Sequence, residues 1–102
     1  MRIWIDDVRE MPYHYDRHCR SVNEAKHFIT RCEAPEICAP ITLIDIDHDA
    51  GDFISDGGDY IKLLDWLEET GRNYPIRIHS MNAVGVANMR AIIKRNGWKE
   101  IR

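Results

Sequence analysis

No stretch of this chain stays apolar for more than a few residues, so the sequence offers no helix that could cross a membrane. Cysteine is sparse and irregularly placed: Cys19, Cys32 and Cys38 are odd in number and lack a CxxC spacing. That argues against a disulfide framework or a structural zinc site, and makes reduced thiols in a cytoplasmic protein the expectation. Positive charge is also short, with 14 Lys and Arg against 17 Asp and Glu. The net charge of −3 argues against a generally basic nucleic-acid binder, and sequence-specific DNA binding is not expected. A secretory leader is not expected either, because Asp6 and Asp7 interrupt the opening segment. Repeats, linkers and low-complexity segments are missing, so residues 1–102 read as one domain.

What is present suits a small folded domain: hydrophobic residues make up 44% of 102 positions, enough for a modest core. "MRIWID" alternates Ile3 and Ile5 against Trp4 and reads as a first strand. Residues 8–17 contain Pro12, two tyrosines and no helical period, and read as a loop. "RHCRSV" is a short second strand. "SVNE" is a capping box that starts a helix running to about Cys32, broken by the two prolines of "EAPEICAP". "ITLIDI" is a third strand, "GGDYIKLLDWLEETG" a helix and "YPIRIHS" a fourth strand. "AVGVANMRAIIKRNG" is a last helix stopped by Gly97. Strands alternating with helices predict an α/β fold with a mostly parallel sheet of four to five strands, the helix after strand one being missing.

In such sheets ligands bind at the carboxyl ends of the strands. Those ends carry Asp6-Asp7, Asp47-His48-Asp49 and His79-Ser80-Met81-Asn82, so three separate segments aim their most polar residues at one edge. The segment "LIDIDHDAGD" admits several readings. An EF-hand fits at Asp45, Asp47 and Asp49, but Ala50 stands where the loop needs glycine and a strand-like run precedes it. A haloacid-dehalogenase motif fits Asp45 and Asp47, but Asp49 replaces its hydroxyl or branched residue. A divalent-metal pocket shared with Asp6 and Asp7 suits magnesium, which takes a few carboxylates plus waters and phosphate oxygens. His48 and His79 at neighbouring strand ends are candidates for general base and general acid in phosphoester cleavage. Alternatively, one of them is a ligand of a transition metal. Ser80 and Asn82 can donate to phosphate oxygens near a helix start, while Asn82 is also a natural N-cap. From Arg72 onward seven basic residues face one acid, Glu100. That asymmetry reads either as a basic flank for a phosphate-bearing ligand or as a solvated helix face.

An acidic pair after strand one, an Asp after strand three and a Ser after strand four resemble the receiver domain of response regulators. More closely, "IWIDDVR", "IDHDAGD", "DGGDYIKLLDWL" and "IHSMNAVGVANM" resemble the cyclic-phosphate-processing receiver-like family, along nearly the whole chain. The resemblance implies a three-layer, flavodoxin-like receiver fold used as a metal-assisted phosphoesterase, cytoplasmic, acting on a small-molecule or RNA-end 2′,3′-cyclic phosphate. It implies a divalent metal, Mg2+ or else Mn2+ or another transition metal, on Asp6, Asp7, Asp47 and Asp49. His48, His79 and Asp47 would be catalytic, with Ser80, Asn82 and Arg9 as substrate contacts. The alternative is a non-enzymatic receiver-like signalling or interaction module that accepts a phosphoryl group on Asp47. Two departures stand out: no lysine lies where a phosphorylation switch needs one, and Asp45 occupies a position where the closer family favours a small residue such as serine.

Overall fold

The computed structural model describes residues 1–34, 36 and 39–102. Five short strands form one sheet: β1 (Arg2–Ile5), β2 (Arg17–Cys19), β3 (Leu43–Ile46), β4 (Ile76–Ile78) and β5 (Glu100–Ile101). Their order is β2-β1-β3-β4-β5 and every pairing is parallel. The fifth strand comes from "WKEIR", a segment too short to carry a strand signal of its own. It joins the edge because Ile76 N–H donates to the Lys99 carbonyl at 2.9 Å. Among the described residues three α-helices complete the fold: α1 (Val22–Cys32), α2 (Ile61–Glu69) and α3 (Ala83–Asn96).

Each helix bridges strands that advance in one direction across the sheet, and right-handed crossovers place all such helices on the same face. Accordingly α2 packs against both α1 and α3. Beneath them Ile3, Ile5, Ile44, Ile46 and Ile76 form one buried cluster with Val22, Ala25, Ile29, Leu63, Leu64, Leu67, Met89 and Ile92. The step from β1 to β2 runs the other way and has no helix, as the loop-like residues 8–17 imply. This connection covers the second face: Tyr15 packs edge-on to Trp4 at 5.4 Å and its hydroxyl donates to Asp45. The expected third layer is therefore reduced to a loop, which leaves polar residues of the strands facing it.

The helix boundaries follow local chemistry. Ser21 Oγ accepts from Glu24 N–H at 3.0 Å, while the Glu24 carboxylate reaches back to the N–H of Arg20, one residue beyond the usual capping-box partner. Asn82 caps α3 by accepting from Gly85 N–H, and Gly97 ends that helix in the left-handed region at φ 68. Cys19 and Cys32 are buried, whereas Pro35 of the predicted helix break and Cys38 lie outside the described residues.

The positive charge of the C-terminal third is largely spent on ion pairs. Arg72 pairs with Glu33, Arg95 with Glu68, Arg77 with Asp45, and both Arg90 and Arg102 with Glu100. Of the two readings of this charge, the structure favours an ion-paired surface over a free anion-binding flank.

Ile44 is fully buried in the central strand, so Ile44→Ala is expected to destabilise the fold by about 2–5 kcal/mol in urea unfolding. A second test concerns acid. Hydrogen bonds from Arg95 and Asn96 hold Glu68 at a pKa of about 2, below its ordinary 4.5. A depressed folded-state pKa contributes stability that is present above the unfolded value and lost as pH falls through the folded one. Glu68→Gln should therefore flatten the part of the melting-temperature profile between about pH 4.5 and pH 2.

Candidate active site

Alternation along parallel strands decides what reaches the site. Trp4, Asp45 and Arg77 sit opposite one another on β1, β3 and β4. Two residues further on, on the same face, come Asp6, Asp47 and His79 at the carboxyl ends. Asp47 N–H donates to the Ile5 carbonyl at 3.0 Å and His79 N–H to the Ile46 carbonyl at 2.9 Å, which prolongs the ladder to these positions. One ligand atom each from Asp6, Asp47 and His79 then lies within 4.8 Å of the others. Of the expected ligands Asp6, Asp7, Asp47 and Asp49, this group brings together Asp6 and Asp47 and adds His79, one of the two histidines offered as an alternative ligand, while Asp49 falls in a second group.

His79 is held on every side. Its Nδ1 meets Asp45 Oδ1 at 2.6 Å and its Nε2 meets Asp6 Oδ2 at 2.9 Å. The ring stacks flat on Trp4, with centroids 3.8 Å apart and planes 2° from parallel. Only 8% of the side chain is exposed, and Asp6 and Asp45 are fully buried. Burial alone would raise the pKa of Asp6, but N–H groups of Arg9 and Val8 together with His79 outweigh it and hold the carboxyl below its ordinary value. Burial likewise opposes ionisation of Asp45, and is overcome by His79, Tyr15 and Arg77. The Tyr15 phenol is pushed up to about 12 by burial and by the Asp45 carboxylate.

His48 stands in a second group with Asp49 and Asp59. Its Nδ1 is 2.7 Å from Asp49 Oδ1, while Asn82 Nδ2 lies 3.4 Å from that nitrogen and 3.3 Å from the same carboxylate oxygen. Asp49 is held below its ordinary pKa chiefly by His48. Asp59 accepts from Ala50 N–H, which fixes the turn after β3. The His48 ring lies against Gly85 in the first turn of α3, where any Cβ would come within 2.5 Å of ring carbons. Gly51 plays the same part for Asp7: it has φ 54, and a Cβ there would collide with the Asp7 carboxylate. Burial and the neighbouring Asp6 raise the pKa of Asp7.

The remaining expected contacts lie on the rim. Arg9 Nη1 donates to the His79 carbonyl at 3.4 Å, and Ser80 Oγ accepts from Asn82 N–H at 3.1 Å. Asn82 is thus both helix cap and neighbour of His48, so the two readings of this residue hold together. The EF-hand reading fails for a further reason: Asp45 belongs to strand β3 and turns its carboxylate to His79, Tyr15 and Arg77 rather than into the loop. The sequence did not reveal Trp4, Tyr15 and Gly85 as parts of this site, and offered Asp45 only within the EF-hand and dehalogenase readings. Register would have exposed Trp4 and Asp45, since both alternate with Asp6 and Asp47 on one face.

The donor set of the first group, two carboxylates and an imidazole, fits a divalent cation. A nitrogen donor moves its preference from Mg2+ toward Mn2+ or Zn2+.

Gly85→Ala should push the His48 ring from its place despite the higher helix propensity of alanine. We expect altered His48 ring resonances and a loss of about 1–3 kcal/mol. Unchanged resonances and melting temperature would show that the close approach is unimportant.

Searches among curated proteins and among solved structures returned no match. The family model for the cyclic-phosphate processing receiver domain matches residues 1–95, which include both histidines and all the strand-end carboxylates. The order β2-β1-β3-β4-β5 with three crossover helices is that of a receiver-like, flavodoxin-type fold. The chain is a member of the cyclic-phosphate processing receiver family.

Proposed function

We propose that the protein is a metal-assisted phosphoesterase that opens a cyclic phosphate on a nucleotide or an RNA end. The observation that carries this reading is the meeting of Asp6, Asp47 and His79 beside a second, Asp49-backed histidine, in a chain of this family. Asp6, Asp47 and His79 would hold the cation; when bound it supplies charge stabilisation to the phosphoryl oxygens. His48 is held through Nδ1 by Asp49, and in this reading its Nε2 is the nitrogen left for the chemistry. That nitrogen takes the proton of the attacking water as the new P–O bond forms. The endocyclic P–O bond then breaks and the released ribose oxygen takes up a proton from solvent water. Asn82 and Ser80, at the start of α3, supply donors to the phosphate.

One observation favours giving His79 the second proton-transfer role. Both of its ring nitrogens lie within hydrogen-bond distance of a carboxylate oxygen, Nδ1 of Asp45 and Nε2 of Asp6. In that division His79 is the acid for the leaving oxygen, and Asp6 and Asp47 alone hold the cation. An interaction module that accepts a phosphoryl group on Asp47 is the competing reading. It draws on the receiver-like placement of Asp47 at the end of β3.

The test offers purified protein 2′,3′-cyclic nucleotides and RNA oligomers ending in a cyclic phosphate, with Mg2+, Mn2+ or Zn2+. Turnover should require the ion, and His48→Ala should lower it by about 10²–10⁴-fold. Full activity in that variant would refute its role. No ring opening, together with a phosphoryl adduct from acetyl phosphate that Asp47→Asn abolishes, would favour the module instead.

A further inference from the structure

Asp45 departs from the small residue expected at this position, and its surroundings give that departure a purpose. It lies on the middle strand, fully buried, with its two oxygens shared among three donors. Oδ1 takes His79 Nδ1 at 2.6 Å, and Oδ2 takes Arg77 Nη1 at 3.0 Å and the Tyr15 hydroxyl. Arg77 is its direct cross-strand partner, and Tyr15 comes from the β1–β2 connection, so the carboxylate is anchored from two independent directions. Trp4, its partner across the other strand edge, supports the flat face of the same imidazole. A histidine on an exposed strand end can turn its ring over and exchange its two nitrogens. Here the Trp4 stack fixes the ring plane, and the Asp45 bond fixes which edge points inward.

We propose that Asp45 is a positioning residue that holds His79 by Nδ1, so that Nε2 is the nitrogen offered to the Asp6–Asp47 site. The use of Nε2 rests on the reading of that site given above; the orientation itself does not. A carboxylate behind an imidazole keeps one tautomer and one ring orientation, and loss of such a partner typically lowers cation affinity about 10–100-fold. Arg77 and Tyr15 serve the same end at one remove, since they satisfy the lone pairs that His79 leaves over and keep Asp45 from turning away.

The measurement is a long-range ¹H–¹⁵N spectrum of the imidazoles, recorded at one pH with and without Cd2+, with His79 assigned through His79→Gln. In the wild-type chain we expect a protected Nδ1–H resonance on His79 and a cation-induced shift confined to Nε2. Asp45→Ala should abolish the protected proton and lower Cd2+ affinity by about tenfold or more. Because that change leaves Arg77 and Tyr15 without their acceptor, Asp45→Asn provides a variant of unchanged shape. The neutral amide should move the Nδ1–H proton upfield and weaken Cd2+ binding in the same direction. A folded Asp45→Ala or Asp45→Asn chain with the wild-type His79 spectrum and affinity within twofold of wild type would overturn the proposal. If wild-type Nε2 ignores Cd2+ while the Nδ1–H proton still depends on Asp45, the cation reading fails and the positioning role is upheld.

Discussion

The Asp45–His79–Asp6 line is the constraint on which the rest of the site depends. Two carboxylates are taken wholly out of water, a step that costs several kcal/mol per ion unless each is paired and hydrogen-bonded. The chain meets that demand with one imidazole between them, a tyrosine and an arginine on Asp45, and the N–H groups of Val8 and Arg9 on Asp6. Among the described residues no buried side-chain nitrogen or oxygen lacks a partner. A ring held at both nitrogens and stacked on an indole has little freedom to turn, so this part of the sheet's carboxyl edge is set before any ligand arrives.

The missing helix between β1 and β2 is what makes this arrangement possible. A helix on that side would demand an apolar sheet face, as the three helices on the opposite side do with their row of isoleucines. An irregular connection can instead supply single groups where they are needed. Tyr15 reaches Asp45, the Arg9 carbonyl accepts from the Trp4 indole, and Arg9 N–H caps Asp6. The sheet is therefore apolar toward its helices and polar toward its loop, and the polar face runs directly into the strand ends. On the helical side two glycines do the equivalent work. Gly51 admits the Asp7 carboxylate and Gly85 admits the His48 ring, each by having no side chain where one would collide.

Most of the architecture was legible because it rests on periodicity. The apolar stripes of α1, α2 and α3, the caps at Ser21 and Asn82 and the stop at Gly97 all follow from local chemistry, and the structure has them. The fold class and the edge of the sheet that carries Asp6, Asp47, His48 and His79 follow from the alternation of strands and helices. β5 was less clear, because two residues hold no pattern and pair only when the β4 edge is offered to them. The division of the acidic residues into two groups was not legible at all. Asp47 and Asp49 share a short motif, yet Asp47 joins Asp6 and His79 while Asp49 joins His48 and Asp59.

The sequence by itself determined which residue types reach the carboxyl edge, since side-chain alternation and helix period are local properties of the chain. Only the tertiary structure decided their partners. Whether Asp45 is a loop ligand or a buried brace depends on strand register. Which of two histidines meets which carboxylate depends on strand order, and on how closely α3 approaches the end of β3. Both are set by packing between segments tens of residues apart, where no local pattern records the outcome.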